Sequence, residues 1–199
     1  MENLKKELIA KYVIPLFGTE VSYAEQISDR LDGICKLHDV LKYGELEAPG
    51  SFEQARVFFS LEAMVHSYYY CTYKSVQKGT RIWKRLNFIL FSSCLLEKEV
   101  RTDYVQMLEP GKVLSFSYRD LLTLMEDFPT VRIYFGHVFN SNESYYHHRN
   151  IFLNKPPIER TKHLREENPY FINIASQQIQ AIHVNLCLRA YINQIKKLR

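Results

Sequence analysis

Few residues in this chain have the type and spacing that chemistry requires. The four cysteines, Cys35, Cys71, Cys94 and Cys187, stand far apart and form no CxxC pair. Zinc and iron–sulfur sites space their ligands more closely, so the expectation is four ordinary thiols, no metal and no disulfide framework. His147 and His148 are adjacent, and on a helix they would point about 100° apart, too far round to share a metal as an i, i+4 pair does. There is no GxSxG, HExxH, P-loop or GxGxxG, and seven glycines leave little for a phosphate-cradling loop. The expectation is a protein that is not an enzyme, with no catalytic residues and no cofactor. The chemistry that remains is basic. Arg189, Asn193 and Lys196 recur at i, i+4, i+7 with Lys197 beside them, opposite Leu188, Ile192 and Ile195. Arginine and asparagine can hydrogen-bond guanine and adenine edges, and lysines can hold phosphates. The same residues would serve as the solvated face of a helix packed onto its own domain.

The charge is unevenly placed. Of 199 residues, 26 are Lys or Arg and 22 are Asp or Glu, a net +4. Residues 155–199 carry eight basic and three acidic side chains, which is +5, and leave the first 154 residues at −1. With 46% hydrophobic residues the chain is of the globular class and long enough to bury a core. No apolar run reaches the roughly 18 residues of a membrane span. The first seven residues lack the basic-then-apolar order of a signal peptide. The expectation is a cytoplasmic protein with no membrane partner.

The elements that must position the basic face follow from periodicity. Leu4, Leu8, Tyr12 and Leu16 share one helical face, Gly18-Thr19 breaks the helix, and Ser22 can cap a second one with Ala24, Ile27 and Leu31 inward. From about Lys36 the pattern changes to short β-branched and aromatic stretches: 40–43, 57–61, 65–73, 80–83, 104–108 and 113–118. Tyr43-Gly44, Pro49-Gly50, Lys78-Gly79 and Pro110-Gly111 read as turns between them. Many short strands with regular turns predict a sandwich or closed roll. Helical spacing returns at Leu121, Leu124 and Met125, up to Phe128-Pro129. A longer helix then carries Val131, Phe135, Val138, Asn142, Tyr145, Arg149 and Phe152 in steps of four and three, a coiled-coil-like seam. This seam is expected to join two copies of the chain, with packing onto its own domain as the alternative. Lys155-Pro156-Pro157 reads as a hinge, with Pro157 opening a helix that Asn168-Pro169 stops. Two further helices, from about Ala175 and about Leu186, flank His183-Val184-Asn185, with Asn185 as a candidate cap. That is the outline of a helix-turn-helix.

In this order of elements the chain resembles the Crp/Fnr-type transcription regulators, whose N-terminal domain is of the cyclic-nucleotide-binding type. Particular residues carry the resemblance. The run from Val57 to Tyr70, VFFSLEAMVHSYYY, is similar to a family hairpin, and Phe88-Ile89 to the start of the family's phosphate-binding cassette. Val105–Glu109 and Val113–Leu121 resemble the following strands and the Ser-x-x-Asp-Leu helix start, here Ser117, Asp120 and Leu121. Glu159-Arg160 and Glu166–Pro169 resemble the approach to the DNA-binding domain. The resemblance implies an α+β chain: N-terminal helices and an antiparallel β-roll (double-stranded jelly roll) over 1–128, a long dimerisation helix over 129–154, and a small helix-turn-helix domain over 155–199.

It also implies sites. An effector pocket would be lined by Leu90, Phe91, Ser92, Arg101 and Thr102, with Arg101-Thr102 matching the pair that holds a cyclic phosphate. Leu90-Phe91 replace the Gly-Glu that accepts the ribose hydroxyl in cyclic AMP binders, and an apolar pair cannot make that bond. The effector is therefore expected to be an unidentified small molecule of anionic character other than cyclic AMP. The dimer interface would be Val131, Phe135, Val138, Asn142, Tyr145 and Phe152, and DNA would meet Arg189, Asn193, Lys196 and Lys197. Ala190–Asn193 replace a family Ser-Arg-Ile-Arg core and His183 stands at the turn glycine, so two groove-facing arginines are missing. Two functional readings stay open: a homodimeric, ligand-responsive regulator that binds DNA, and a ligand- or partner-binding dimer module of the same fold that has lost DNA recognition.

Overall fold

The structure, a computed structural model, describes residues 2–18 and 21–198. Helix α1 (Glu2–Leu8) widens into a π-turn over Ile9–Val13 and tightens to a 3-10 turn over Ile14–Phe17. Gly18 ends it at φ 59°, a left-handed conformation that glycine adopts without steric cost. The widened turn shifts the buried stripe to Ile9, Val13 and Phe17. Leu4 of the expected stripe is exposed, and Leu8, Tyr12 and Leu16 are half-buried. Helix α2 (Val21–Ile34) buries Ile27 and Leu31 as expected. It begins ahead of Ser22, which is therefore not its cap; Thr19 and the Ser22 side chain lie outside the described residues.

Eight strands follow: β1 (Lys36–Val40), β2 (Glu45–Glu47), β3 (Arg56–Ser60), β4 (Val65–Cys71), β5 (Val76–Trp83), β6 (Asn87–Ile89), β7 (Tyr104–Met107) and β8 (Gly111–Ser117). They pair antiparallel in two four-stranded sheets, ordered β1-β8-β3-β6 and β2-β7-β4-β5. Every connection among successive strands but β4–β5 changes sheet, which is the jelly-roll topology that the family resemblance implied. The sheets press together Val57, Phe59, Val65, Trp83, Phe88, Val105, Met107, Val113, Leu114 and Phe116, all nearly inaccessible. The roll differs from expectation in three places. Strands β2 and β6 have three residues each, too short for a periodicity to register, and the first strand is 36–40 rather than 40–43. Lys78-Gly79 is no turn: both residues pair inside β5, opposite Tyr69 and Tyr68, and the chain reverses at 72–75 with Ser75 at φ 50°.

Helix α4 (Tyr118–Asp127) opens on a reciprocal capping box: Ser117 Oγ accepts from the Asp120 amide and the Asp120 carboxylate accepts from that of Ser117. The short α3 (Ser92–Glu97) lies between β6 and β7. After Phe128, α5 (Pro129–Leu153) runs unbroken for 25 residues. Asn154, Lys155 and Pro156 separate it from α6 (Pro157–Glu167), with Pro157 at the first helical position. Three short helices complete the described chain: α7 (Pro169–Ile174), α8 (Gln177–His183) and α9 (Leu188–Lys197). Helix α7 was not expected, because Asn168-Pro169 marks both the end of one helix and the start of the next.

A second core forms around Leu164, Phe171, Ala175, Ala181, Val184 and Tyr191. It also takes in Met64 and Leu108 from the roll, so the C-terminal helices are packed on the roll rather than strung from it. Four thiols are free: Cys35 and Cys94 buried, Cys71 partly so, Cys187 exposed.

Candidate functional site

The residues expected to hold an effector come together, with Arg101 turned onto its own chain although its Nε and Nη1 make no hydrogen bond among the described residues. Arg101 pairs with Gly50 through backbone bonds of 2.9 and 3.1 Å, which draws its side chain inward. There its Nη1 stands 3.0 Å from Glu47 Oε1, with the two side chains 2% and 8% exposed. Its Nη2 donates to the Ala48 carbonyl. Glu47 Oε1 accepts a further bond of 2.8 Å from the Arg56 amide. Burial pushes the Glu47 carboxyl up to about 7, and the Arg101 charge beside it opposes that rise only in part. An arginine expected to seek an external anion thus holds a carboxylate of its own chain.

The apolar wall is closed as well. Leu90, Phe91 and Leu95 are buried, and the Phe91 amide donates to Tyr118 Oη at 2.8 Å. Thr102 is exposed and bonds the neighbouring Asp103 at 3.2 Å. Ser92 is half-buried and accepts a 3.1 Å bond from Asn142 Nδ2. Above α3, Arg81 lies among aromatic rings, 4.6 Å from the Tyr145 centroid, 5.2 Å from Trp83 and 5.9 Å from Tyr146, and donates to Asn142 Oδ1. Cations over aromatic faces are favourable, more so when desolvated. Arg81 and Trp83 stand two apart on one strand face, a spacing visible in the sequence; Glu47, on a three-residue strand far from Arg101, gave no such signal.

The stripe on α5 requires a correction. Val131 and Phe135 are inaccessible and belong to the core of the roll, with Val138 packed against it. Asn142 is 3% exposed and bridges Arg81 to Ser92. Tyr145 faces Arg81, Arg149 donates to the carbonyls of Gly79 and His183, and Phe152 packs into the second core. Of the expected seam, Val131, Phe135 and Asn142 are thus buried in their own chain, while Val138, Tyr145 and Phe152 contact it and stay half-buried. Such periodicity arises whenever one helical face is buried, whatever covers it. The opposite face carries Ile133, His137, Asn140, Ser144, His147 and Ile151, also in steps of four and three and all exposed.

At the C-terminus, Ser176 caps α8 by accepting from the Ile179 amide. Asn185 takes φ 57° in the turn instead of capping α9, whose N-cap is Cys187. Tyr191, fully buried, donates to Gln180 Oε1 at 2.8 Å. Gln180 Nε2 in turn donates to the carbonyls of Ile172 and Ala175 at 2.9 and 2.7 Å. This chain of bonds ties α7, α8 and α9 into one unit. Of the expected inward residues of α9, Ile195 packs into the core, Ile192 is half-buried and Leu188 is 37% exposed. Arg189, Asn193, Lys196 and Lys197 all face solvent together on the side away from Tyr191. Arg199 lies outside the described residues. No helix among the described residues is long and apolar enough to cross a membrane.

No protein-family model matches the sequence, and no match was found among curated proteins. The fold does find counterparts among solved structures. One is a protein described as a transcriptional regulator of the Crp/Fnr family from Eubacterium rectale: TM-score 0.71, 11% identity, covering 91% of this chain and 84% of that one. Another is the c-di-GMP-responsive global regulator CLP of Xanthomonas campestris: TM-score 0.69, 14% identity, 87% and 91% covered. A third is FixK2 of Bradyrhizobium japonicum: TM-score 0.67, 12% identity, 83% and 84% covered. The chain has the fold of the Crp/Fnr-type regulators, from the roll through the C-terminal helices.

Proposed function

We propose that the chain is a ligand-responsive transcription regulator of Crp/Fnr type that binds DNA as a homodimer through α9, and that it is not an enzyme. The observation that carries this reading is the exposed face of α9. Arg189, Asn193, Lys196 and Lys197 share it, no acidic residue interrupts the helix, and the Tyr191–Gln180 bonds hold its other side to α8. A second helix of a helix-turn-helix reads base edges in the major groove with its N-terminal residues. In this reading Arg189 and Asn193 contact bases, and Lys196 and Lys197 contact phosphates. The domain division at 128 and 154 is part of the proposal, with α5 linking sensor to reader.

The dimer seam belongs on the outward face of α5, Ile133 to Ile151, because the inward face is filled. The effector site belongs at Arg101, Ser92 and Thr102 beside Leu90 and Phe91. An anionic effector competes there with the Glu47 carboxylate for Arg101, and cyclic AMP finds no acceptor for its ribose hydroxyl on the Leu90-Phe91 wall. The test is selection of bound duplexes from a genomic fragment pool by the full chain. A discrete bound sequence is expected, with Arg189→Ala or Asn193→Ala losing about 1–3 kcal/mol of discrimination at single base positions. Recovery of no enriched sequence would favour the partner-binding module.

A further inference from the structure

Two histidines from opposite ends of the chain meet where the C-terminal helices dock. His66 lies on β4 of the roll and His183 at the end of α8, 1% and 0% exposed, with His66 Nδ1 3.2 Å from His183 Nε2. The surrounding bonds fix where the protons sit. Gln106 Nε2 donates to the Tyr43 carbonyl at 3.0 Å, which leaves Gln106 Oε1 to accept from His66 Nε2 at 3.0 Å. His66 Nδ1 is then a bare acceptor, and His183 Nε2 must carry the hydrogen that fills it. The last nitrogen, His183 Nδ1, is buried without a hydrogen-bond partner among the described residues. It lies against Gly79, where a Cβ would come within 2.6 Å of it. The glycine that reads as a turn is instead the place where the roll's backbone admits the His183 ring.

The groups around the pair give no welcome to a positive charge. From α5, Arg149 donates to the carbonyls of Gly79 and of His183 itself. From β5, the Lys78 ammonium donates to Asn185 Oδ1 in the α8–α9 turn. From β4 and β7 come Tyr68, stacked on His66, and the amide of Gln106; from α7 comes the Phe171 ring, edge-on to His183. The acidic groups on this side are Glu45 on β2, in register with Gln106, and Asp103, held by the Thr80 and Thr102 hydroxyls.

We propose that His66 and His183 form a latch that holds the C-terminal helices on the roll while both rings are neutral and releases them on acidification. The latch does not depend on whether α9 binds DNA. Burial holds His66 down to about 4 and His183 well below its ordinary 6.5, with the His66 and Arg149 charges adding to the latter. Once undocked, both rings return toward 6.5. Docking is therefore at full strength above pH 6.5 and is lost as the pH falls from there toward 4. Between pH 7.5 and 5.5 the docking constant falls about tenfold for each histidine and about a hundredfold for the two.

Amide hydrogen exchange of the full chain at pH 7.5 and 5.5, normalised for intrinsic rates, tests this. Protection over residues 179–187 should fall by up to about a hundredfold at the lower pH while β3 and β8 keep theirs. His66→Gln or His183→Gln should shrink the fall to about tenfold. Gly79→Ala, which pushes a methyl into the His183 ring, should lower protection there at both pH values. Should the histidine variants not fold, the unmodified chain decides. Equal protection of residues 179–187 at the two pH values, or a parallel loss across β3 and β8, would overturn the latch.

Discussion

At the scale of single residues, the ion pair between Arg101 and Glu47 stands where the effector is proposed to bind. Both side chains are buried, so removing one strands the other in the core. Arg101→Ala is expected to cost about 3–5 kcal/mol of stability, measurable by urea unfolding. Glu47 also makes a pH prediction. Its carboxyl titrates higher folded than unfolded because burial outweighs the Arg101 charge, so the folded state holds that proton more tightly. The stabilisation is complete below about pH 4.5 and is lost as the pH rises through about 7. Relative to Glu47→Gln, the unmodified chain should lose stability by at most about 1.4 kcal/mol per pH unit over that span. A difference between the two that is flat with pH would show that Arg101 keeps Glu47 ionised throughout. In the sequence, Arg101 could be found through the resemblance to the family's phosphate-holding pair, but its partner could not. A pairing between positions 47 and 101 is set by jelly-roll topology, which no local pattern encodes.

At the scale of elements, α5 holds the most instructive disagreement. Its heptad stripe was legible, and so were its ends at Pro129 and the Lys155-Pro156 break. What spacing cannot say is which surface covers a stripe, and here the roll does. Asn142, expected at the seam between two copies, instead bridges Arg81 and Ser92 within one chain. Asn142→Ala should cost about 1–3 kcal/mol by leaving Arg81 desolvated and short of an acceptor. The outward stripe predicts the converse. Ile133→Asp and Ile151→Asp touch no core and should leave thermal stability of the monomer unchanged. If the seam lies there, they should shift sedimentation from dimer to monomer. Gly79 teaches the same lesson in a strand: a glycine beside a lysine suggested a turn, whereas the reason for it is a ring 104 residues further along the chain.

At the scale of the whole molecule, the order roll, long helix, short C-terminal helices was readable because it rests on changes of period and on proline breaks, and the fold class followed from the family resemblance. The contact between the two ends was not, because Met64, Leu108, His66 and Gly79 meet the C-terminal helices only once the roll is closed. That contact fixes how α9 is presented. Its basic face is turned to solvent while Tyr191 and Ile195 are packed inward, so of the tail's basic residues Arg189, Lys196 and Lys197 share one described surface. The most direct test of the account is the salt dependence of DNA binding by the full chain, read by anisotropy on a duplex. The account predicts affinity that falls linearly in log–log form between 50 and 200 mM salt, with a slope reduced by about 2 in Lys196→Ala/Lys197→Ala. Binding that is absent, or a slope unchanged by the double substitution, would contradict it.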